Sequence, residues 1–306
     1  MIEPSTFVLN TDDEANDEHD FRRFQEITRD TFEFVKLSRR ICLIKRNDAS
    51  EATGFLVGPD LMLTAAHALL GTRGIFADPD EVTILFDQFI WNQKTGRVAH
   101  GDECRLRRIP FTDQPDVVAS SIKIDAKSRK KLDDNELDYV LVRLDRPIGL
   151  MFLPYSHRIR GWNNLSAAKA PAAGHVQVVQ HPEGGLMKFS DGWIWKTRRH
   201  SRRFHYRTAA LDGASGAPIY NEKKQVVGMH VGENSPSDQL GVSFQHIFRD
   251  LRKKHVRLPR FSLPPKLMDT LFGTSEVEWQ RKDGTDWRGD RLFGPPRSRR
   301  RRPRSA

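Results

Sequence analysis

Short apolar runs separated by turn-forming residues fill the middle of this chain, and they constrain its fold most strongly. The runs are rich in Val, Ile, Leu and aromatic residues, and Gly, Pro, Asn or Asp stand between them. Runs this short are typical of β-strands, whereas helices need longer segments. The clearest are 41–44, 54–57, 82–86, 139–142, 176–179, 192–195, 204–206, 217–220 and 226–229. The pattern predicts an all-β barrel or sandwich rather than alternating strands and helices.

Three segments of different character divide the chain. Residues 1–38 are acidic at the start and then carry phenylalanines at roughly helical spacing, which predicts an acidic leader followed by a helix. Residues 39–256 hold the strand-like runs and end in a predicted helix at 244–252. Residues 257–306 are rich in Pro and Arg and are predicted to be a largely disordered tail. Within the middle segment, residues 93–131 are polar enough to predict a surface insertion.

Composition narrows the cellular setting. No apolar run approaches the roughly 20 residues that cross a bilayer, so no membrane span is expected. The acidic N-terminus lacks the basic and apolar parts of a secretory signal, which favours an intracellular protein, in the cytoplasm. Cys42 and Cys104 have neither metal-ligand nor redox spacing, so we expect two buried thiols and no metal or cofactor.

Charge is unevenly distributed along the chain. The net charge is +10, yet the first twenty residues are acidic and arginines crowd the last ten. The basic tail is expected either to contact an anionic partner (nucleic acid, an anionic membrane or the acidic leader) or to be a solvated tail. It also has the composition of a nuclear import signal.

Three local patterns carry chemical information. His67 stands among small residues in 63–68, Asp138 begins an apolar strand, and Ser215 lies between glycines in 211–218. Each pattern alone is weak: such a histidine is more often structural, strands often follow an acidic residue, and glycines often mark a turn. Together they supply a nucleophile, a base that takes its proton, and a carboxylate that holds the base. Asp212 is a rival carboxylate, but Asp138 alone precedes an apolar strand and falls between His67 and Ser215.

The three motifs resemble those of the trypsin-like serine proteases, both in their residues and in their order of His, Asp and Ser along the chain. The resemblance is closest to the glutamyl endopeptidases and their intracellular trypsin-like relatives, and it covers roughly residues 40–256. Residues 64–67, 138–141, 213–218, 179–185 and 221–232 carry it. It implies a chymotrypsin-like fold of two six-stranded antiparallel β-barrels with a C-terminal helix, plus N- and C-terminal extensions.

The resemblance also implies roles for single residues. Ser215 is expected to attack the scissile carbonyl of a polypeptide substrate, and His67 to act as base and then as acid. Asp138 is expected to hold His67, and the backbone N–H groups of Gly213 and Ser215 to form the oxyanion hole.

Two further residues bear on specificity. His230 stands where the glutamyl endopeptidases place a histidine that contacts the substrate's acidic side chain, so cleavage after Glu or Gln is expected. The alternative, a histidine packed within a strand, stays open. Ala210 stands where that branch usually has a threonine, with Thr208 nearby but out of register, so the supporting hydroxyl is missing.

Two other classes of function compete with a serine endopeptidase. One is a catalytically silent, protease-like module that binds peptides. The other is a nucleic-acid-associated protein that acts through its arginine-rich tail. The presence of all three triad members weighs against the silent module, and the lack of aromatic residues among the last arginines weighs against a stacking platform for single strands.

Overall fold

The structure is a computed structural model, and its strands and helices lie between residues 25 and 259. It describes residues 25–26, 37–47, 49, 51–71, 75–92, 96–99, 101–122, 137–154, 158–165, 170, 173–197 and 202–259. The strands are β1 Gln25–Glu26, β2 Ile41–Arg46, β3 Glu51–Leu56, β4 Leu61–Ala65, β5 Val82–Phe86, β6 Ile90–Asn92, β7 Arg97–Val98, β8 Glu103–Arg105, β9 Val117–Ser120, β10 Tyr139–Arg143, β11 Gly174–Gln180, β12 Lys188–Thr197, β13 Arg203–Thr208, β14 Pro218–Asn221, β15 Val226–Ser235 and β16 Asp238–Ser243. The α-helices are α1 Ala66–Leu69 and α2 Phe244–Lys253, and short 3-10 turns lie at Pro79–Glu81, Ile148–Leu150 and Pro182–Gly184.

The first barrel is an antiparallel sheet with the strand order β8-β5-β2-β3-β4-β10-β9. Residues just after β8 and β10 close it: Leu106 bridges Leu144, and the Arg107 N–H donates to the Arg143 carbonyl at 2.8 Å. Side chains of β5 alternate between buried and half-buried, as expected of a strand with one face toward a core. Closure leaves few exposed strand edges, which stabilises a sheet of this size in water.

The second barrel has the order β12-β11-β14-β15-β16-β13, and β13 pairs back with β12 to close it. Strand β1 pairs with β12 through Gln25↔Phe189 and Glu26↔Lys188. Each barrel has its own apolar interior, and a further core contains residues of both barrels together with Phe244, Ile247 and Leu251 of α2. Helix α2 therefore packs into the core that the two barrels share.

The predicted architecture is confirmed: the chain is mostly β, with two antiparallel barrels and one helix at the end of the second. The predicted count of six strands fits the closed part of the second barrel, whereas the first barrel has seven, because both β8 and β9 join its sheet. Each of the nine predicted runs overlaps a strand, and only Val57 and Ala217 at the ends of two runs lie just outside; the predicted helix 244–252 falls within α2. Cys42 and Cys104 are buried, free thiols in the first barrel, and burial raises the pKa of both. No helix of the described ranges has the length and apolarity to cross a membrane.

Two expectations about segments differ from the structure. The predicted surface insertion 93–131 includes β8 and β9, because Cys104 and Ala119 point inward and complete the first barrel. Within the predicted leader and helix, Gln25–Glu26 is a strand, since the edge of β12 offers it backbone hydrogen bonds. The rest of the leader, apart from Leu37–Ser38, and the tail beyond residue 259 lie outside the described residues, so the proposed domain boundaries stay predictions.

Candidate active site

His67 is held at the rim of the first barrel by the start of α1. Strand β4 ends at Ala65 and α1 begins at Ala66, and both alanines are fully buried, so the chain turns tightly there. The Ala66 N–H donates to the Asp138 carbonyl and the His67 N–H to Asp138 Oδ1, each at 3.1 Å. These two bonds from the backbone of residues 66 and 67 fix the position of His67 relative to Asp138, apart from any contact of the His67 ring.

Asp138 lies directly before β10, which pairs with β4 so that Tyr139 faces Ala65. Its side chain is buried, and its backbone adopts the left-handed region with φ 43°. Aspartate tolerates this region better than most residues, and strained backbone of this kind often lies at functional sites. With this backbone conformation, the Asp138 carboxylate lies within hydrogen-bonding distance of the His67 ring.

Two glycines shape the loop that carries Ser215. Gly213 and Gly216 both have φ +88°, a conformation that favours glycine. A Cβ at Gly216 would lie 2.2 Å from the Thr53 carbonyl oxygen, and a Cβ at Gly213 would lie 2.4 Å from the His181 carbonyl oxygen. The missing side chain at Gly216 therefore lets the Ser215 loop approach the backbone of the first barrel at Thr53. The missing side chain at Gly213 lets the same loop pack on the backbone of His181, within the second barrel.

The three side chains predicted as a triad form one hydrogen-bonded row. His67 Nδ1 lies 2.6 Å from Asp138 Oδ2, and His67 Nε2 lies 2.9 Å from Ser215 Oγ. Burial alone would lower the pKa of His67, but the hydrogen bond and the charge of Asp138 outweigh it and raise the pKa above the usual 6.5. In the neutral form, Nδ1–H donates to Asp138, which leaves Nε2 to accept the Ser215 proton. The rival Asp212 is exposed, and among the described residues the His67 ring is hydrogen-bonded to Asp138 and Ser215, not to Asp212.

The backbone peptide unit between Asp212 and Gly213 is oriented by the loop that contains Glu183. The Glu183 N–H donates to the Asp212 carbonyl at 2.5 Å. Because the peptide bond from Asp212 to Gly213 is trans, the Gly213 N–H points the opposite way. Neither the Gly213 nor the Ser215 N–H donates a hydrogen bond to any described residue. Two backbone donors of the same loop are thus left for a substrate oxygen.

Thr53 of the first barrel is hydrogen-bonded to the loop that carries Ser215. Its hydroxyl donates to the Gly213 carbonyl at 2.7 Å and accepts from the His181 N–H at 3.0 Å, while its own N–H donates to the Ser215 carbonyl at 2.9 Å. Thr53 is fully buried. Sequence reasoning missed this residue, because a threonine inside a strand carries no signal of its partner across the barrel interface.

A cavity of about 400 Å³ adjoins Ser215 on one side and is lined by His230, Ala210 and Thr208 among others. His230 is buried, and its Nδ1 lies 2.7 Å from the hydroxyl of the fully buried Tyr206. Burial, followed by the charge of His67, lowers the pKa of His230 to about 3. The Thr208 hydroxyl is hydrogen-bonded to Ser190 Oγ at 2.8 Å and so is occupied within the protein. Sequence reasoning missed Tyr206, since only the strand order places it beside His230.

A second cavity, of about 540 Å³, also borders Ser215. His67 and Ser215 line it together with Arg46, Glu51 and Glu183. The two cavities share Asp212 and Ser215, and their other lining residues differ. Within the described residues, no three His, Cys, Asp or Glu side chains cluster so that they could hold a metal ion.

Comparisons with known proteins agree with this architecture. Residues 52–229 match the family model described as trypsin-like peptidase domain. A solved structure of Glu endopeptidase in complex with MPD is 16% identical, covers 71% of this chain and 90% of its own, and has a TM-score of 0.50.

Two other solved structures are similar at lower TM-scores. The active form of the Rv3671c protease from M. tuberculosis is 16% identical, with coverages of 75% and 87% and a TM-score of 0.48. Human heparin binding protein is 14% identical, with coverages of 75% and 94% and a TM-score of 0.49. No curated protein sequence matches significantly. At these identities the structural likeness concerns the fold alone.

Proposed function

The chain belongs to the family of proteins with a trypsin-like peptidase domain, and on that basis we propose that it is a serine endopeptidase that uses His67, Asp138 and Ser215. The observation that carries the proposal is the hydrogen-bonded row from Asp138 Oδ2 through the His67 ring to Ser215 Oγ. A serine hydroxyl is a poor nucleophile until a base takes its proton, and this row supplies the base and the group that orients it.

The reaction follows from which atom holds the proton. Ser215 Oγ attacks the carbonyl carbon of the scissile peptide bond while its proton moves to His67 Nε2. The resulting imidazolium is stabilised by Asp138 and gives this proton to the leaving amine as the C–N bond breaks, leaving an acyl-enzyme. Water then repeats the sequence: His67 takes its proton, the hydroxyl attacks the ester carbonyl, and Ser215 leaves with the proton from Nε2.

The negative oxygen of each tetrahedral intermediate needs preorganised donors. The N–H groups of Gly213 and Ser215 lie in the same loop and have no acceptor among the described residues, which supports their role as an oxyanion hole. The contacts of Glu183 and Thr53 hold this loop. Loss of one such donor typically lowers kcat by about 100- to 1000-fold.

Cleavage within a chain, after Glu or Gln, is the finer part of the proposal. Two cavities with largely different lining residues border Ser215, and this supports an endopeptidase, because more than one substrate residue finds space next to the nucleophile. His230 lines the cavity on one side, and an imidazole can donate a hydrogen bond to an acidic or amide side chain.

The test is labelling of the full chain by a fluorophosphonate probe. The probe should modify Ser215, as located by mass spectrometry of the labelled peptide, and Ser215→Ala and His67→Ala should abolish labelling. Ser121→Ala is the matched control, because Ser121 has a hydrogen-bonded hydroxyl outside the cavities, and it should label like the parent protein. A folded protein that is never labelled, or a label that persists in Ser215→Ala, would refute the proposal.

A further inference from the structure

The cavity beside Ser215 contains a donor and an acceptor that match an uncharged carboxamide. We infer that it selects glutamine over glutamate as the residue before the cut, through His230 Nε2–H and Gln239 Oε1. This inference rests on the proposed peptidase function and names its substrate class more narrowly.

Tyr206 fixes the tautomer of His230. The Tyr206 hydroxyl is fully buried and lies 2.7 Å from His230 Nδ1, and it has no other hydrogen-bond partner among the described residues. If Nδ1 carried the proton, the phenol proton would be buried without an acceptor, which is costly. The phenol therefore donates to Nδ1, and the ring proton of His230 is on Nε2. Because the ring lines the cavity, Nε2–H is the donor left for a substrate.

His230 also stays uncharged. Burial lowers the pKa of its ring to about 3 and raises the pKa of Tyr206 well above its usual value. At neutral pH the pair is a phenol and a neutral imidazole rather than an ion pair. The cavity thus offers a hydrogen bond at this position without a positive charge to balance a carboxylate.

Gln239 supplies the complementary atom. It is buried, lines the same cavity, and lies opposite Tyr206 in the pairing of β13 with β16. Its side-chain amide bonds the Pro236 carbonyl at 3.3 Å, and since a carbonyl only accepts, the facing atom is the amide nitrogen. Oε1 accepts no hydrogen bond from the described residues and is free to accept from a substrate. A glutamine offers both an acceptor for His230 and a donor for Gln239, whereas a glutamate offers acceptors only.

The charged residues around the cavity also favour glutamine over glutamate. Asp212 and Glu233 line it, and none of its described lining residues is a lysine or arginine. Ala210 stands on its wall without a donor, and the Thr208 hydroxyl is already bonded to Ser190. An ionised glutamate would give up its hydration for one neutral donor beside two carboxylates. Burying a charge without compensation is far more costly than burying an amide that is hydrogen-bonded.

The first measurement uses fluorogenic peptides of one sequence that differ only in Gln, Glu, Met or Lys before the cut. With the full chain at pH 7, kcat/KM for Gln should exceed that for Glu by about 100-fold and that for the apolar isostere Met by about tenfold. Equal or faster cleavage after Glu, or a preference for Met or Lys, would overturn the inference. Ser215-dependent fluorophosphonate labelling with no cleavage after Gln would overturn it while leaving the peptidase proposal intact, and absence of both would refute the two together.

Two variants test whether His230 Nε2–H and Gln239 Oε1 recognise the side-chain amide of the substrate's glutamine. Tyr206→Phe removes the proton that fixes the tautomer, so the Gln-to-Glu ratio of kcat/KM should fall about tenfold. Tyr220→Phe is the matched control, because Tyr220 is equally buried and bonds Asn163 away from the cavity, and its ratio should equal that of the parent. Gln239→Met keeps the volume but removes the acceptor, and it should lower the same ratio. An unchanged ratio in a folded Tyr206→Phe or Gln239→Met would contradict the assignment, and each variant serves if the other fails to fold.

Discussion

The first barrel buries a cluster of charged groups, whereas the polar side chains buried in the second barrel are uncharged. The Arg160 guanidinium has no exposed surface and bonds Asp87 at 2.6 Å and Asp102 at 2.6 Å. In the second barrel the buried polar side chains are amides, hydroxyls and two imidazoles, those of His181 and His230, whose pKa values burial lowers to about 4 and about 3.

This difference follows from what each group must do. A buried charge needs all its partners within the protein, so the Arg160 cluster suits a structural role that ties Asp87 and Asp102 together. A neutral polar atom can be left without a partner at smaller cost, because water or a substrate can satisfy it. The second barrel therefore suits recognition, whereas the first supplies a rigid support for His67 and Asp138.

The largest expected effect tests the buried carboxylate of the first barrel that contacts His67. Asp138→Asn should lower kcat by about 10⁴-fold, because an amide in this position favours the wrong tautomer of His67. Steady-state cleavage of the best peptide measures it. Asp145→Asn, an exposed carboxylate in the same barrel, is the control and should have the activity of the parent. A loss below tenfold in Asp138→Asn would show that His67 is oriented by other groups.

The next effect concerns stability rather than rate. Arg160→Met should lower the free energy of unfolding by about 3–5 kcal/mol, because it leaves two carboxylates without their cation. Arg105→Met is the control, since the Arg105–Glu103 pair is exposed, and it should cost about 1 kcal/mol or less. Urea unfolding of both variants measures the difference. Similar values for the two would remove the distinction between the buried charges and the surface ion pairs.

A smaller effect tests the contact between the barrels. Thr53→Val should lower the free energy of unfolding by about 1–3 kcal/mol, because the Gly213 carbonyl and the His181 N–H both lose their partner. It should also lower kcat more than it raises KM, since the loop it holds carries the oxyanion donors. Thr53→Ser keeps the hydroxyl and should restore most of the rate. If Val and Ser behave alike, the hydroxyl does not position the loop.

Sequence patterns predicted the elements whose side chains alternate and missed those held by distant contacts. The runs of β2, β5 and β10 are visible because buried residues recur at short, regular spacing. Strands β8 and β9 were assigned to a surface insertion, since only a few inward residues, such as Cys104 and Ala119, mark them among many charges. Their place depends on closure of the barrel, which no local pattern encodes.

The residues of the candidate site also fall into those that a local motif marks and those that only the folded structure brings together. His67, Asp138 and Ser215 could be named from the sequence, because each lies in a local motif. The structure also places His230 and Ala210 in the cavity beside Ser215. Thr53, Tyr206 and Gln239 could not be found, because each acts across strands that are distant in the chain and none carries a local motif.

The smallest expected effect separates two histidines of the site by the direction of their pKa shifts. Burial lowers the pKa of His67 and Arg203 lowers it further, but Asp138 raises it beyond the sum of these, to above 6.5. His67 must be neutral to accept the Ser215 proton, so the acid limb of kcat/KM should have its midpoint above pH 6.5. Arg203→Gln should move this midpoint to higher pH, and a midpoint below 6.5 in the parent would contradict the role of Asp138.

Stability should respond to the same histidines with opposite signs. The raised pKa of His67 gives stability that is complete below its unfolded value of about 6.5 and is lost as the pH rises through the folded pKa. The pKa of His230, lowered to about 3, acts in reverse: its neutral form is fully favourable above 6.5, and stability is lost as the pH falls from there toward 3. Urea unfolding from pH 4 to 9 of His67→Ala and His230→Ala measures both slopes. If His67→Ala reduces the slope of the unfolding free energy at basic pH and His230→Ala reduces it at acidic pH, the first barrel favours a charged imidazole and the second a neutral one. If both substitutions reduce the slope in the same pH range, that difference between the barrels does not hold.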